Sequence, residues 1–224
     1  MENEVLIVGG FSVKVIRKKM KNLRLVVKSA GDVRVSVPKN YPPNKIKQFV
    51  ESKSDWILQN VEKMRKSSPP QTFQSGDVVN VLGQRLVLQI HLGGRTSARC
   101  AGENLILTVR EDTPEAREKA FKAFCKRVLL TQLPAYFDKW QRATNLVVKG
   151  FSVRDMKSRW GSCNTKKQTI SINLQVAQKP PECLDYLVLH EVAHIYEPSH
   201  NQNFKNFLSH YMPDWKDRRK MLKK

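Results

Sequence analysis

Pro198 constrains this chain more than any other residue, because it falls where one apolar helical run stops and another begins. Before it, Leu184, Val188, Val192 and Ile195 form one stripe of a 3.6-residue period. After it, Phe204, Phe207, Leu208 and Tyr211 recur at i, i+3, i+4 and i+7. Proline lacks an N–H and pushes the residue before it, Glu197, out of the helical region, so the first helix is expected to end near Tyr196. Pro180, Pro181 and acidic Glu182 mark its start. Ser199 as N-cap, with Gln202 three residues on, opens the second helix in a capping-box pattern and puts His200 in its first turn.

The break decides which histidines can meet. His190 and His194, four residues apart in an H-E-x-x-H run, project from one helical face, with Glu191 at the rim of the same site. An unbroken helix would carry His200 about 240° round from His194, whereas a turn at Pro198 brings it back as a third ligand. Glu197, Glu182 and Asp214 are the carboxylates that would otherwise complete the set. Three protein ligands and a water make a catalytic zinc site, while structural sites are closed by four. Zinc lowers the pKa of its water to about 7; Glu191 would take the proton, and amide hydrolysis is the natural reaction. His210 reads as a surface residue or as a transition-state hydrogen-bond donor. His91 reads as structural.

Charge is the second unusual feature. Forty Lys and Arg against twenty Asp and Glu leave +20, so polyanions are natural partners. Basic residues cluster at Arg17, Lys18, Lys19, Lys21, Arg24 and Lys28, and again from Lys216 to Lys224. No zinc-finger, RNP or homeodomain-like pattern accompanies them, so a broad solvated surface or affinity for acidic substrates accounts for them equally well. Cys100, Cys125, Cys163 and Cys183 are scattered and read as free thiols. With no apolar run near the roughly 20 residues of a membrane span and no signal-peptide layout, the expected location is cytoplasmic.

The element order implies an α+β fold, with a β-rich N-terminal region over 1–111 and a catalytic core over 112–224. Alternating residues give strands around 13–37, and one helical stripe runs from Ile46 through Trp56 to Met64. Ala30-Gly31-Asp32 reads as a turn and Ser67-Ser68-Pro69-Pro70 as a linker. Strands over 78–109 and a helix after Pro114 repeat the plan, by duplication or as architecture alone. Pro134 should kink or split that helix. Runs 146–156 and 169–176 should form a small sheet, with 168–176 as an edge that captures peptide backbone.

Several of these residues together carry a family resemblance. Arg159-Trp160-Gly161-Ser162-Cys163, Ile172-Asn173-Leu174, Asp185-Tyr186-Leu187-Val188, the H-E-x-x-H run, His200, Phe204 and Pro213-Asp214 resemble the YgjP-like metal-dependent hydrolases, which belong with the WLM and SprT-type zinc metallopeptidases. The likeness extends upstream to Asp32–Pro38, Ser54-Asp55-Trp56-Ile57 and Leu82-Gly83. It implies a minimal gluzincin-like core, Zn2+ on His190, His194 and His200, and Glu191 as general base. Lys205 and Ser199 depart from the family's usual tryptophan and asparagine. Arg159, Trp160, Asn173 and His210 are candidate substrate or transition-state contacts, with Arg159 equally able to hold its own loop. The leading expectation is a zinc metallopeptidase acting on protein or peptide. The alternatives are a nucleic-acid-associated protease acting on DNA-bound proteins, and a non-enzymatic basic module that binds nucleic acid and uses zinc only for folding.

Overall fold

The computed structural model describes residues 4–8, 10–27, 32–66 and 72–223 of the 224. The Ala30-Gly31 part of the expected turn, the Ser67–Pro70 linker, Lys28 and Lys224 lie outside them. Two compact units divide between Gln71 and Thr72.

In the first unit, β1 (Glu4–Val8), β2 (Phe11–Lys18), β3 (Arg24–Val27) and β4 (Val33–Pro38) form a sheet in the order β1-β2-β4-β3. Alternation of β4 places Val33, Val35 and Val37 in the core, against Ile46, Val50 and Ile57 of the following helices. The single stripe expected over 46–64 is two helices, α1 (Pro43–Glu51) and α2 (Ser54–Lys66). The hydroxyls of Ser52 and Ser54 donate to the carbonyls of Phe49 and Glu51, giving the end of α1 side-chain partners where the helix stops. Trp56 consequently stands 43% exposed, outside that core.

The second unit begins with β5 (Val78–Val81), β6 (Gln84–Leu92), β7 (Ser97–Ala101) and β8 (Asn104–Val109), in the order β5-β6-β8-β7. Leu88, Leu105 and Leu107 share one core with Phe121, Leu129 and Leu133 of α3 (Pro114–Thr144), which is why compactness groups this sheet with the helices and divides the chain earlier than 111/112. Helix α3 runs through Pro134 without splitting. Pro134 lies on the solvent side, and so does Leu130, whose carbonyl loses its intrahelical donor and can take water instead.

A small third sheet follows: β9 (Gly150–Arg154), β10 (Gly161–Asn164) and β11 (Thr169–Asn173), ordered β10-β11-β9. Strand β11 is therefore central, paired with β9 on one side and β10 on the other, and the edge expected at 168–176 is corrected. Leu174–Gln178 continues as a 3-10 turn. Next to the site, the edge of this sheet is β10, a strand of glycine, serine, cysteine and asparagine with no apolar alternation to mark it in the sequence.

The three sheets share a plan. In each, a parallel pair (β2 with β4, β6 with β8, β9 with β11) is completed by an antiparallel strand on the far side of the later partner. Each plan leads into a helix that starts on proline, at Pro43, Pro114 or Pro181.

Helix α4 (Pro181–Tyr196) is buried almost all round rather than along one stripe: ten of its residues are buried, Cys183 to Leu189 and Glu191 to Ala193. It packs on α3, β10, β11, α5 (Gln202–Tyr211) and α6 (Trp215–Lys223).

Candidate metal centre

Helix α4 stops where Pro198 requires, with Glu197 in extended conformation as its C-cap. The second helix does not open on Ser199. Asn201 is its N-cap, with its side chain accepting from the Phe204 amide, and His200 sits in the turn just before it. Ser199 instead donates both its backbone N–H and its hydroxyl to the Glu197 carboxylate, tightening the turn. That use of Glu197 removes it from the candidate ligands, as the pairing with Arg218 does for Asp214.

The turn brings one ligand atom from each of His190, His194 and His200 to within 4.8 Å of the others. The Nε2 atoms of His190 and His200 lie 3.1 Å apart, close to the roughly 3.3 Å that Zn–N bonds of about 2.05 Å subtend at a tetrahedral ion. Outer contacts aim the rings: His194 Nδ1 lies 3.1 Å from the Glu197 carbonyl, to which it donates when Nε2 is the ligating atom, and His190 Nδ1 lies 3.3 Å from the Tyr186 hydroxyl. The Phe204 ring packs against all three imidazoles, at 5.0, 4.7 and 4.8 Å between centroids. Burial, then the neighbouring imidazoles and Arg219, hold His190 down to about 3, so it is neutral and able to ligate.

Glu191 is buried, and its Oε2 has no hydrogen-bond partner. Burial raises it to about 8, against the opposing pull of Arg159. An orphaned buried carboxylate oxygen beside three convergent imidazoles fits a site made to face a cation and a polar ligand. Room for it comes from Gly161, where a Cβ would sit 2.3 Å from Glu191 Oε1. The family resemblance includes Gly161, but nothing in the sequence shows that its missing side chain makes room for Glu191.

A cleft of about 650 Å³ opens over these groups, lined by Arg159 and Trp160 of the loop before β10, by Gly161 and Cys163 of β10, and by Tyr186 and the three histidines, with Arg219 and Lys223 of α6 completing the wall. Arg159 and Trp160 thus belong to the cleft. Asn173 does not line it; its side-chain amide donates to the carbonyls of Met156 and Arg159 and its oxygen accepts from Gln175, so it clamps the loop that carries them. His210 is exposed on α5, edge-on to Tyr211 and away from the lining. The Cys163 thiol is pushed up to about 11, by burial and then by Glu191, which disfavours the thiolate that a ligand must be.

Two members of the basic clusters are structural ties: Arg17 holds Glu4 and the carbonyls of Lys39 and Tyr41, and Arg218 holds Asp185 and Asp214. No helix among the described residues is long and apolar enough to cross a membrane.

Two imidazoles and a buried carboxylate on one helix, with a third imidazole from the turn after it, at the floor of an open cleft, have the make-up of a metal-dependent hydrolase. The YgjP-like metallopeptidase domain matches residues 21–224, and the chain belongs to that family. No curated protein matches it. Among solved structures, the metallopeptidase zymogen of Pyrococcus abyssi abylysin is similar at 19% identity and a TM-score of 0.38, over 41% of this chain and 94% of that one. The zymogen of Methanocaldococcus jannaschii jannalysin is similar at 22% and 0.34, over 39% and 90%.

Proposed function

We propose that this metallopeptidase holds Zn2+ on His190, His194 and His200 and hydrolyses peptide bonds with Glu191 as general base. The observation that carries the reading is the unpaired buried oxygen of Glu191 next to the histidine cluster. A zinc ion bound there supplies a water of lowered pKa and polarises the scissile carbonyl. The chain's own groups do the rest. Glu191 takes the proton of the attacking water at a carboxylate oxygen and returns it to the leaving amine nitrogen. Tyr186 and the Glu197 carbonyl keep His190 and His194 turned toward the ion.

The outer edge of β10 offers backbone groups beside the base, where an extended peptide can add as a further strand. Trp160 gives the cleft an apolar wall that excludes water from one side.

Elemental analysis of the purified chain is expected to give about one zinc per molecule, with much weaker retention in His200→Ala. Glu191→Gln is expected to keep the zinc and lose peptide hydrolysis. Unchanged turnover in that variant would end the assignment of the base, and a wild-type chain that takes up no metal when zinc is supplied would end the assignment of the site.

A further inference from the structure

The wall of the cleft contributed by α6 has a chemistry that zinc binding does not use. Along this helix, Arg218 is engaged by Asp185 and Asp214, and Lys220 by Asp217. Arg219 and Lys223 have no ion-pair partner among the described residues, are exposed, and stand four residues apart on one helical face, both lining the cleft. Arg159, on the loop before β10, likewise lines the cleft, is exposed and has no ion-pair partner among the described residues. Arg159 and Arg219 thus reach the cleft that holds His190 and Glu191 from two different elements. Against these three cations the lining has one carboxylate, Glu191, which the reaction needs for itself.

Resting on the peptidase reading, we propose that Arg219, with Arg159 and Lys223, forms a carboxylate-binding subsite, so that the preferred substrate is a peptide with a carboxylate beside the scissile bond. An excess of positive charge in a concave wall concentrates its field there and draws anionic substrates in. A guanidinium without a protein partner keeps its fork of donors for a bidentate carboxylate, which a neutral side chain cannot reproduce. The carboxylate has two sources, an Asp or Glu side chain and the α-carboxylate of a chain end.

Two sets of internally quenched peptides, used with the zinc-loaded full chain, separate them. The first carries Glu or Gln at single positions around the cleaved bond, with amidated ends. The second is neutral throughout and ends either free or amidated. Neutralising the carboxylate is expected to lower kcat/KM roughly tenfold in one set, and that set names the source. Arg219→Ala and Arg219→Gln are expected to collapse this ratio. Lys126→Ala, which removes the same charge from the exposed side of α3, is expected to leave it intact. A ratio near one in both sets overturns the subsite, as does a ratio that survives loss of Arg219 or falls equally with loss of Lys126.

Fluorescence anisotropy of the same peptides, labelled and bound to Glu191→Gln, keeps the two readings apart. Carboxylate-dependent binding that needs Arg219, with no hydrolysis by the wild type, would sink the peptidase and keep the subsite. Hydrolysis with no discrimination in either assay would do the reverse.

Discussion

At the scale of single residues the site depends on what Gly161 lacks. Its position in β10 is fixed by pairing with Ile172 of the central strand, so the backbone cannot retreat without breaking that register. A methyl group there meets Glu191 at 2.3 Å from Oε1 and 2.6 Å from Cδ, and the buried carboxylate must turn away. Gly161→Ala is therefore expected to lower kcat about a hundredfold, the scale of an ångström-sized misplacement, with zinc content unchanged. Steady-state kinetics beside elemental analysis checks this, and wild-type turnover would show that the carboxylate has room the geometry denies it. Tyr186→Phe removes the hydroxyl from His190 and is expected to weaken zinc roughly tenfold in a chelator competition. The convergence of His190, His194 and His200, with Glu191 beside them, was legible in sequence because helical spacing and a proline are local signals. What Gly161, Tyr186 and Arg219 do there was not, since those roles arise only when β10 and α6 are brought against α4.

The element that matters most is α4, and Asp185 anchors it. Its Oδ1 accepts from Trp140 Nε1 at 2.8 Å and from Lys139 Nζ at 2.9 Å, both on α3, while its Oδ2 accepts from an Arg218 guanidinium nitrogen at 2.8 Å on α6. Asp185→Ala strands a buried indole N–H and leaves the mostly buried Arg218 guanidinium with Asp214 as its one remaining carboxylate. The expected loss is about 3 kcal/mol, at the low end for a broken buried pair because Lys139 is half exposed and regains water. Urea unfolding measures it, and a loss under about 1 kcal/mol would mean that apolar packing alone seats the helix. Element boundaries were readable where proline sets them, at Tyr196, Pro114 and Pro181. They were misread where polar side chains or neighbours decide: the serines at 52 and 54 divide a continuous stripe, and α3 passes Pro134 because the freed carbonyl faces solvent. The alternation in the first two sheets was visible, whereas the third repeat of the plan was not, because Gly161–Asn164 has no apolar alternation to mark a strand.

At the scale of the whole molecule, nearly all the buried hydrophobic residues among those described fall into two clusters that share no member. One runs from Val8 to Val61 and the other from Phe73 to Leu222, each within a single compact unit. Every candidate ligand, the proposed base Glu191 and the cleft lining belong to the second. Charge said nothing of this division, since basic residues occur throughout both units and set solubility and partner choice rather than fold. Separate cores have a thermodynamic consequence: zinc stabilises only the unit that binds it. At free zinc a hundredfold above its dissociation constant, that unit gains about 2.7 kcal/mol. For a unit of its size, 72–224, this raises the midpoint by roughly 5–10 °C. Calorimetry of the full chain, with zinc and with chelator, is accordingly expected to show two transitions of which one moves. Residues 72–224 expressed alone are expected to reproduce the moving one. A single transition that shifts as a whole would mean that the two cores unfold as one cooperative body.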